Sequence, residues 1–422
     1  MTDATANSGP LVTADGRSLK SSLNRALLRK KLIAVGMVVP LFIFVMLTFI
    51  IPIANMLVRS VDNDIVGEIL PRTVVALQAW DETTGDLPDE PVFEAIVLDL
   101  QEAKENRTNT KVGQRLNYEK PGVSSLFRSA GRKVGKITEG PYKEALMKTD
   151  KKWRDVEYWR VIKQFSGSYT PGYFLAAADA QETPDGSFEF VDSDKAVYGK
   201  LFLRTIILSV AITGLTLLLG FPIAYLIATQ PARIGNLLII CVLLPFWTSL
   251  LVRTTSWIAL LQQQGIINDT LVFIGLISDD GRLSMIHNAT GTVIAMTHIL
   301  LPFMVLPLYS VMKTISPTYM RAATSLGAHP FSAFWKVYFP NTVPGIGAGA
   351  ILVFILAIGY YITPELVGGT DGTFISNRIA YNISSSLNWG LAAALGVILL
   401  AIVLVCYLLY DKIVGIDNMK LG

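Results

Sequence analysis

From Leu391 to Tyr410 the chain runs for 20 residues without one charged side chain. That is the length needed to cross a bilayer, about 20 apolar residues. Inside lipid no water is present to pair backbone N–H and C=O groups, so a spanning segment is a helix or part of a closed barrel. Barrel strands are short and alternate in polarity, and an unbroken apolar run of this length excludes them. Five more runs are long and apolar, two of them holding a single arginine (Arg204 and Arg253): Leu32 to Met56, Leu201 to Ala228, Leu237 to Leu261, Ala289 to Met312 and Val343 to Ile362. The sequence therefore predicts an all-α integral membrane protein with six transmembrane helices. Only 16% of the residues are charged, against about 25% in a soluble protein. A net charge of +3 gives no ground for a nucleic-acid partner.

The arrangement of basic residues sets the expected topology. Residues 17–31, RSLKSSLNRALLRKK, place the N-terminus in the cytoplasm by the positive-inside rule. Leu19, Leu23, Leu27 and Leu28 lie on one side, which fits an amphipathic helix on the inner leaflet; a plain basic flank fits equally. Residues 1–16 lack periodicity and read as a disordered tail. The first run is too long for a signal peptide, and no small-residue cleavage site follows it. Residues 57–200 then turn polar and fall outside as an extracytoplasmic insertion of domain size, either a partner-docking element or a structural one. Helical stretches are expected there at Pro91 to Glu105 and Pro141 to Phe165. Residues 201–412 form the transmembrane core. Its inner segments carry Arg233, Lys313, Arg321 and Lys336, and the tail 413–422 returns to the cytoplasm.

Motifs for catalysis are missing from the sequence. There is no GxxxxGK[ST] phosphate loop, so ATP is not expected on this chain. His287, His298 and His329 are scattered, and Cys241 and Cys406 sit in apolar runs, so neither a metal nor a bound cofactor is expected. The spans hold no acid pair or Asp/Glu/His chain of the kind a proton-coupled carrier uses. Pro245 in the third run, and Pro302 and Pro307 in the fourth, suggest helices that line a path. Candidate path residues are Trp247, Arg253, Tyr360, Tyr361 and Glu365. Glu365 would attract a cation at the mouth of the path, and the aromatic rings would add cation–π contact. For Arg253, snorkelling to the interface is the competing role.

One polar segment, RAATSLGAHPFSAFWKVYFPNTVPG (321–345), is built as a helix–turn–helix. Gly327 can turn the chain at φ > 0, and Pro330 suits a first helical turn. Phe331, Phe334, Trp335 and Tyr338 recur at helical spacing, and Pro340 and Pro344 are expected to end that helix before the next span. The segment resembles the EAA loop of ABC importer permeases: Ala322, Ala323, Gly327, Phe334, Pro340 and Pro344 match in spacing. GFPIAYLIA (220–228), LLPFWTSLLVRTTSW (243–257), LLPFMVLPLYSVM (300–312) and TPELVGG (363–369) resemble the spermidine/putrescine-type branch.

The resemblance implies a type I importer permease (MetI-like) fold in the bacterial inner membrane. Its loop, 313–342, would couple to a separate ABC ATPase dimer through Arg321, Ala322, Ala323, Gly327, Ala328 and Phe334. ATP and Mg would bind that partner. A second permease subunit and a periplasmic solute-binding protein would complete the assembly within membrane lipid. The solute would be polyamine-like or a related small organic molecule. An opine or amino-acid derivative is the alternative within the family, and a secondary carrier without ATP is the alternative outside it. At Arg321 the family's Glu is replaced by the opposite charge, which implies an asymmetric pair of permeases.

Overall fold

The computed structural model describes residues 19–183, 187–194 and 196–414, with side chains from residue 27 to 412. The tail expected at 1–16 and nearly all of 413–422 lie outside the described residues. The chain divides into two units, Met1–Val58 and Arg59–Gly422. Among the described residues five helices are long and apolar enough to cross a membrane, or six if a bent pair is taken as one span.

The described part of the first unit is helical and contains helix α1 (Leu27–Arg59) up to its last residue, Arg59, with which the second unit begins. The helix already begins at Leu19, so the basic segment continues into the span without a break. Ahead of Pro52 it widens into a π turn, Met46–Ile50, closed by the Ile51 N–H to the Met46 carbonyl. Proline crowds the carbonyl four residues back and cannot donate to it. The wider turn lets the rod pass the proline without breaking.

The second unit opens with short helices between Asp64 and Gln164 wrapped around one core. The helix Glu90–Glu105 turns Val92, Phe93, Ile96, Val97 and Leu100 inward at helical spacing. They meet Trp153 and Trp159, which are fully buried. Phe93 and Trp159 lie 4.6 Å apart by ring centre, and the two tryptophans 5.2 Å. Pro141 to Phe165, expected as one helix, is three pieces: Tyr142–Thr149, a 3-10 turn at Lys151–Arg154, and Val156–Gln164. Asp150 and Asp155 explain the breaks. Each accepts from the backbone N–H two residues on, and so starts a new helical segment.

Arg115 ties this layer together from a buried position. Its Nε donates to Asn63 Oδ1 at 2.8 Å and its Nη1 to Glu119 at 2.6 Å. The guanidinium also lies 5.1 Å from the Phe165 ring centre and 4.6 Å from that of Tyr173. Asn63 in turn donates to the Phe165 and Gly167 carbonyls, closing the segment's two ends on each other. Burial pushes the Tyr173 phenol up to about 12, so it remains neutral beneath the charge. Arg115→Ala is expected to cost about 2 kcal/mol, the scale for losing a hydrogen bond from a charged group and leaving the buried Asn63 acceptor unpaired. Thermal unfolding of the full chain followed by tryptophan fluorescence checks this, and an unchanged midpoint would contradict it.

The insertion does not end as a separate body. Tyr173 and Ala177, on the helix Gly172–Ala177, pack with Leu201, Phe202, Ile375, Leu391 and Leu395. Helix α2 (Tyr198–Thr229) starts on Asp179, whose carboxylate accepts from the N–H groups of Val197, Tyr198 and Gly199. Next come α3 (Ala232–Trp247) and α4 (Leu250–Phe273), then α5 (Ala289–Thr314), α6 (Pro317–Ser325), α7 (Pro330–Gly359) and α8 (Trp389–Val414).

Helices α2, α5 and α7 pack on one another around Ile212, Met296, Leu300, Met304, Leu308 and Val353. Small residues set their spacing. A Cβ at Gly349 would come 2.7 Å from the Met304 sulfur, and one at Gly345 3.0 Å from Val311.

Where one spanning helix was expected from Leu237 to Leu261, α3 and α4 meet at 96°. Pro245 lies in a 3-10 turn, Leu244–Trp247, and Thr248 is extended. Ser249 then caps α4, its Oγ accepting from the Val252 N–H at 3.2 Å.

Candidate functional site

The segment between α5 and α7 has the geometry of a helix–turn–helix. Ser316 caps α6 and Pro317 takes its first position. Gly327 adopts φ +91° with open space about it, so the turn needs glycine for its backbone angle rather than for room. His329 Nδ1 then accepts from the Phe331 N–H at 3.3 Å to begin α7. Arg321 and Ala322 are exposed on α6, while Ala323 and Ala328 are half-buried. Beside them the segment exposes apolar side chains: Leu326 at 89%, Phe331 at 70%, Tyr319 at 56% and Trp335 at 48%.

Pro340 and Pro344 do not end the second helix. A π turn at Phe334–Tyr338, closed by the Phe339 N–H to the Phe334 carbonyl, carries it past Pro340 as the turn in α1 does past Pro52. Asn341 Nδ2 donates to the Val337 carbonyl at 2.6 Å, and Pro344 lies inside the helix. From Pro330 to Gly359 the loop and the span are therefore one rod.

Phe334 fastens this rod to α2. Its ring stacks on Tyr338 at 5.6 Å and meets Tyr225 and Phe221 edge-on at 5.7 and 6.3 Å. Tyr225 also meets Tyr338 at 5.3 Å, and Phe221 meets Phe339 at 5.8 Å. Each such pair contributes about 0.5–1.5 kcal/mol beyond its buried area. Sequence reasoning singled out Phe334 and Tyr338 but missed Phe221 and Tyr225. Their i, i+4 spacing in GFPIAYLIA was the available signal.

The residues considered for a path fall into two groups. Asn377 gathers the first. Its Nδ2 donates to the Tyr361 carbonyl at 2.8 Å and to Glu365 Oε2 at 2.6 Å, while Ser376 beside it donates to the Tyr360 carbonyl. Glu365 is otherwise exposed. Around it, TPELVGG is held by Arg204, which donates to the Thr370 carbonyl, and by the His287 N–H, which donates to the Val367 carbonyl. Gly369 sits at φ +54° against His287, where a Cβ would come within 2.3 Å of that residue's carbonyl oxygen.

The second group lies at the bend. Trp247 is 77% exposed, and the Arg253 guanidinium sits 5.6 Å from the Phe246 ring centre. Arg253 Nε is buried without a hydrogen-bond partner. Thr254 joins the groups, its Oγ1 lying 3.2 Å from that of Thr363. One turn on from Arg253, Trp257 Nε1 donates to His298 Nδ1 at 3.1 Å, a pair that sequence reasoning did not single out.

Apolar helices long enough to cross a bilayer, a close-packed core of three of them and an exposed helix–turn–helix between two define a multi-pass membrane protein. The chain belongs to the family of binding-protein-dependent transport system inner membrane components, the permeases of ABC importers, which its residues 216–414 match. It is 31% identical over 226 residues to the spermidine/putrescine transport system permease protein PotB of Salmonella typhimurium (strain SL1344), covering 54% of this chain and 78% of that protein. The inner membrane ABC transporter permease protein YdcU of Escherichia coli (strain K12) is 31% identical over 225 residues, covering 51% and 71%. Among solved structures, a bacterial ABC transporter involved in the import of the acidic polysaccharide alginate aligns with TM-score 0.41 at 20% identity, over 52% of this chain and 81% of that one.

Proposed function

We propose that this chain forms part of the translocation path of a binding-protein-dependent importer for a polyamine-like small organic cation, and that α6 and the start of α7 couple it to a separate ATPase. The observation that carries this reading is the apolar surface of Leu326, Phe331 and Trp335 on a polar segment whose helix runs unbroken into the bundle. A partner groove over these side chains would push directly on α7. In this reading the segment faces the cytoplasm, both termini lie there, and the insertion receives a solute-loaded binding protein on the other side. Arg321 would meet the ATPase with a positive charge, so a second permease subunit would not need to make the same contact. The similarity to PotB and the exposed carboxylate of Glu365 support a cationic solute.

Proteoliposomes containing this chain, the second permease, the ATPase and the binding protein test the proposal. ATP-dependent uptake of labelled putrescine or spermidine is expected. Glu365→Gln should raise the KM by roughly two- to fivefold, the scale of an exposed charge contact. Uptake that ignores both polyamines and is competed by an amino-acid derivative would reassign the solute while leaving the coupling intact. Uptake that continues without the ATPase would overturn the importer reading.

A further inference from the structure

A small pocket of about 220 Å³ lies away from the proposed path, between the insertion and the start of α8. Its walls carry Arg59, Lys111 and Arg115 against a single carboxylate, Asp62, which accepts from the Asp64 N–H at 3.3 Å. Neither Arg59 nor Lys111 makes an ion pair among the described residues. Arg115 is 3% exposed, and its Nη2 has no hydrogen-bond partner although Nε and Nη1 are both used. The Glu119 that balances Nη1 does not line this pocket.

The remaining wall is the N-terminus of a 26-residue helix. Trp389 and Gly390, in its first turn, line the pocket, and neither N–H donates to a backbone carbonyl among the described residues. The next two amides are occupied, Leu391 by the Asn388 side chain and Ala392 by the Asn388 carbonyl. Free amides at the positive end of a long helix form an anion site. The insertion closes over that end: Tyr118 donates to the Ser386 carbonyl at 2.6 Å, and Gly390 lies against the Tyr173 ring. The Arg59 guanidinium is 5.7 Å from the centre of the Trp389 ring, which marks the interfacial level at which α8 begins.

We infer that this pocket is an anion site for a phosphate group, held by Lys111, Arg59 and the first amides of α8, with Arg115 as the buried charge behind them. Its volume suits a single oxyanion and is below the roughly 300 Å³ at which drug-sized ligand sites begin. Two sources carry that chemistry, the phosphodiester of a lipid headgroup and free phosphate. Binding at this position would clamp the insertion to the bundle independently of any solute.

The test uses the purified full chain in detergent, with and without Lys111→Glu. This substitution reverses one exposed charge and leaves the Arg115 network in place. Inorganic phosphate is titrated in one arm and phosphatidylglycerol in mixed micelles in the other, with thermal unfolding and lipid retention in native mass spectrometry as readouts. Stabilisation by either probe that is weakened about tenfold in the variant supports the site, as expected for one charge-assisted contact. Retained lipid with no response to inorganic phosphate identifies a headgroup, and the reverse identifies the free ion. If neither probe stabilises the protein, or if the variant responds as the wild type does, the inference is overturned. No transport is measured, so failure here leaves the importer proposal untouched.

Discussion

Gly327→Trp is expected to abolish ATP-driven uptake while the protein stays in the membrane at its normal level. The backbone at this position has φ +91°, which an L-residue adopts at a cost of about 1–2 kcal/mol. No atom lies within 4 Å of a Cβ built there and the position is exposed, away from the packed core of the bundle. The strain is relieved by changing the angle between α6 and α7, and that angle presents Leu326 and Phe331 to a partner. Gly327→Asn provides the control, because Asn tolerates the left-handed region better than other residues with a Cβ and should retain more uptake. Membrane level, uptake and ATPase rate measured together check the prediction. Normal uptake by the Trp variant would show that the turn does not transmit motion.

The second large effect is expected from Phe334→Ala, which should separate ATP hydrolysis from transport. The ring makes edge or stacked contacts with Phe221, Tyr225, Trp335 and Tyr338. Losing two or more such contacts removes about 1.5 kcal/mol or more from the junction of α7 with α2. Hydrolysis by the assembled complex should continue, with uptake per ATP falling about tenfold, the equivalent of about 1.4 kcal/mol. Tyr225→Phe keeps the ring and should behave as wild type. Combining Phe334→Ala with Tyr225→Ala should give less than the sum of the two effects, because both act on one contact. An unchanged ratio of uptake to hydrolysis would remove the aromatic junction from the transmission route.

Much of this architecture was legible because lipid leaves the backbone few choices. Leu391 to Tyr410 could hardly be anything but a spanning helix, and it lies within α8. Gly327 was legible for a local reason, since a single glycine between two helical runs has few other uses. Other features depended on what proline does in context. Pro340 reads as a terminator from sequence, yet a π turn and the Asn341 side chain absorb its missing donor, and the helix continues. Pro245 has the same letter and the opposite outcome, because Ser249 follows to start a new helix.

The break of Pro141 to Phe165 could have been read from Asp150 and Asp155, which are capping residues inside a helical pattern. Asn377 could not have been found in this way. Its role comes from residues 12 and 16 positions earlier that only the folded chain brings within reach.

The corner between α3 and α4 bears on how this subunit can be surrounded. It lies midway along an apolar stretch, and Trp247, Thr248 and Ser249 all face outward there. Helix ends leave carbonyls and amides outside the helical ladder, and hydrocarbon offers them nothing in exchange. Part of that need is met inside the chain, the Thr248 N–H donating to the Pro245 carbonyl and the Arg253 N–H to that of Ser249. The corner thus carries its own repair, a bend in an apolar stretch held by local hydrogen bonds.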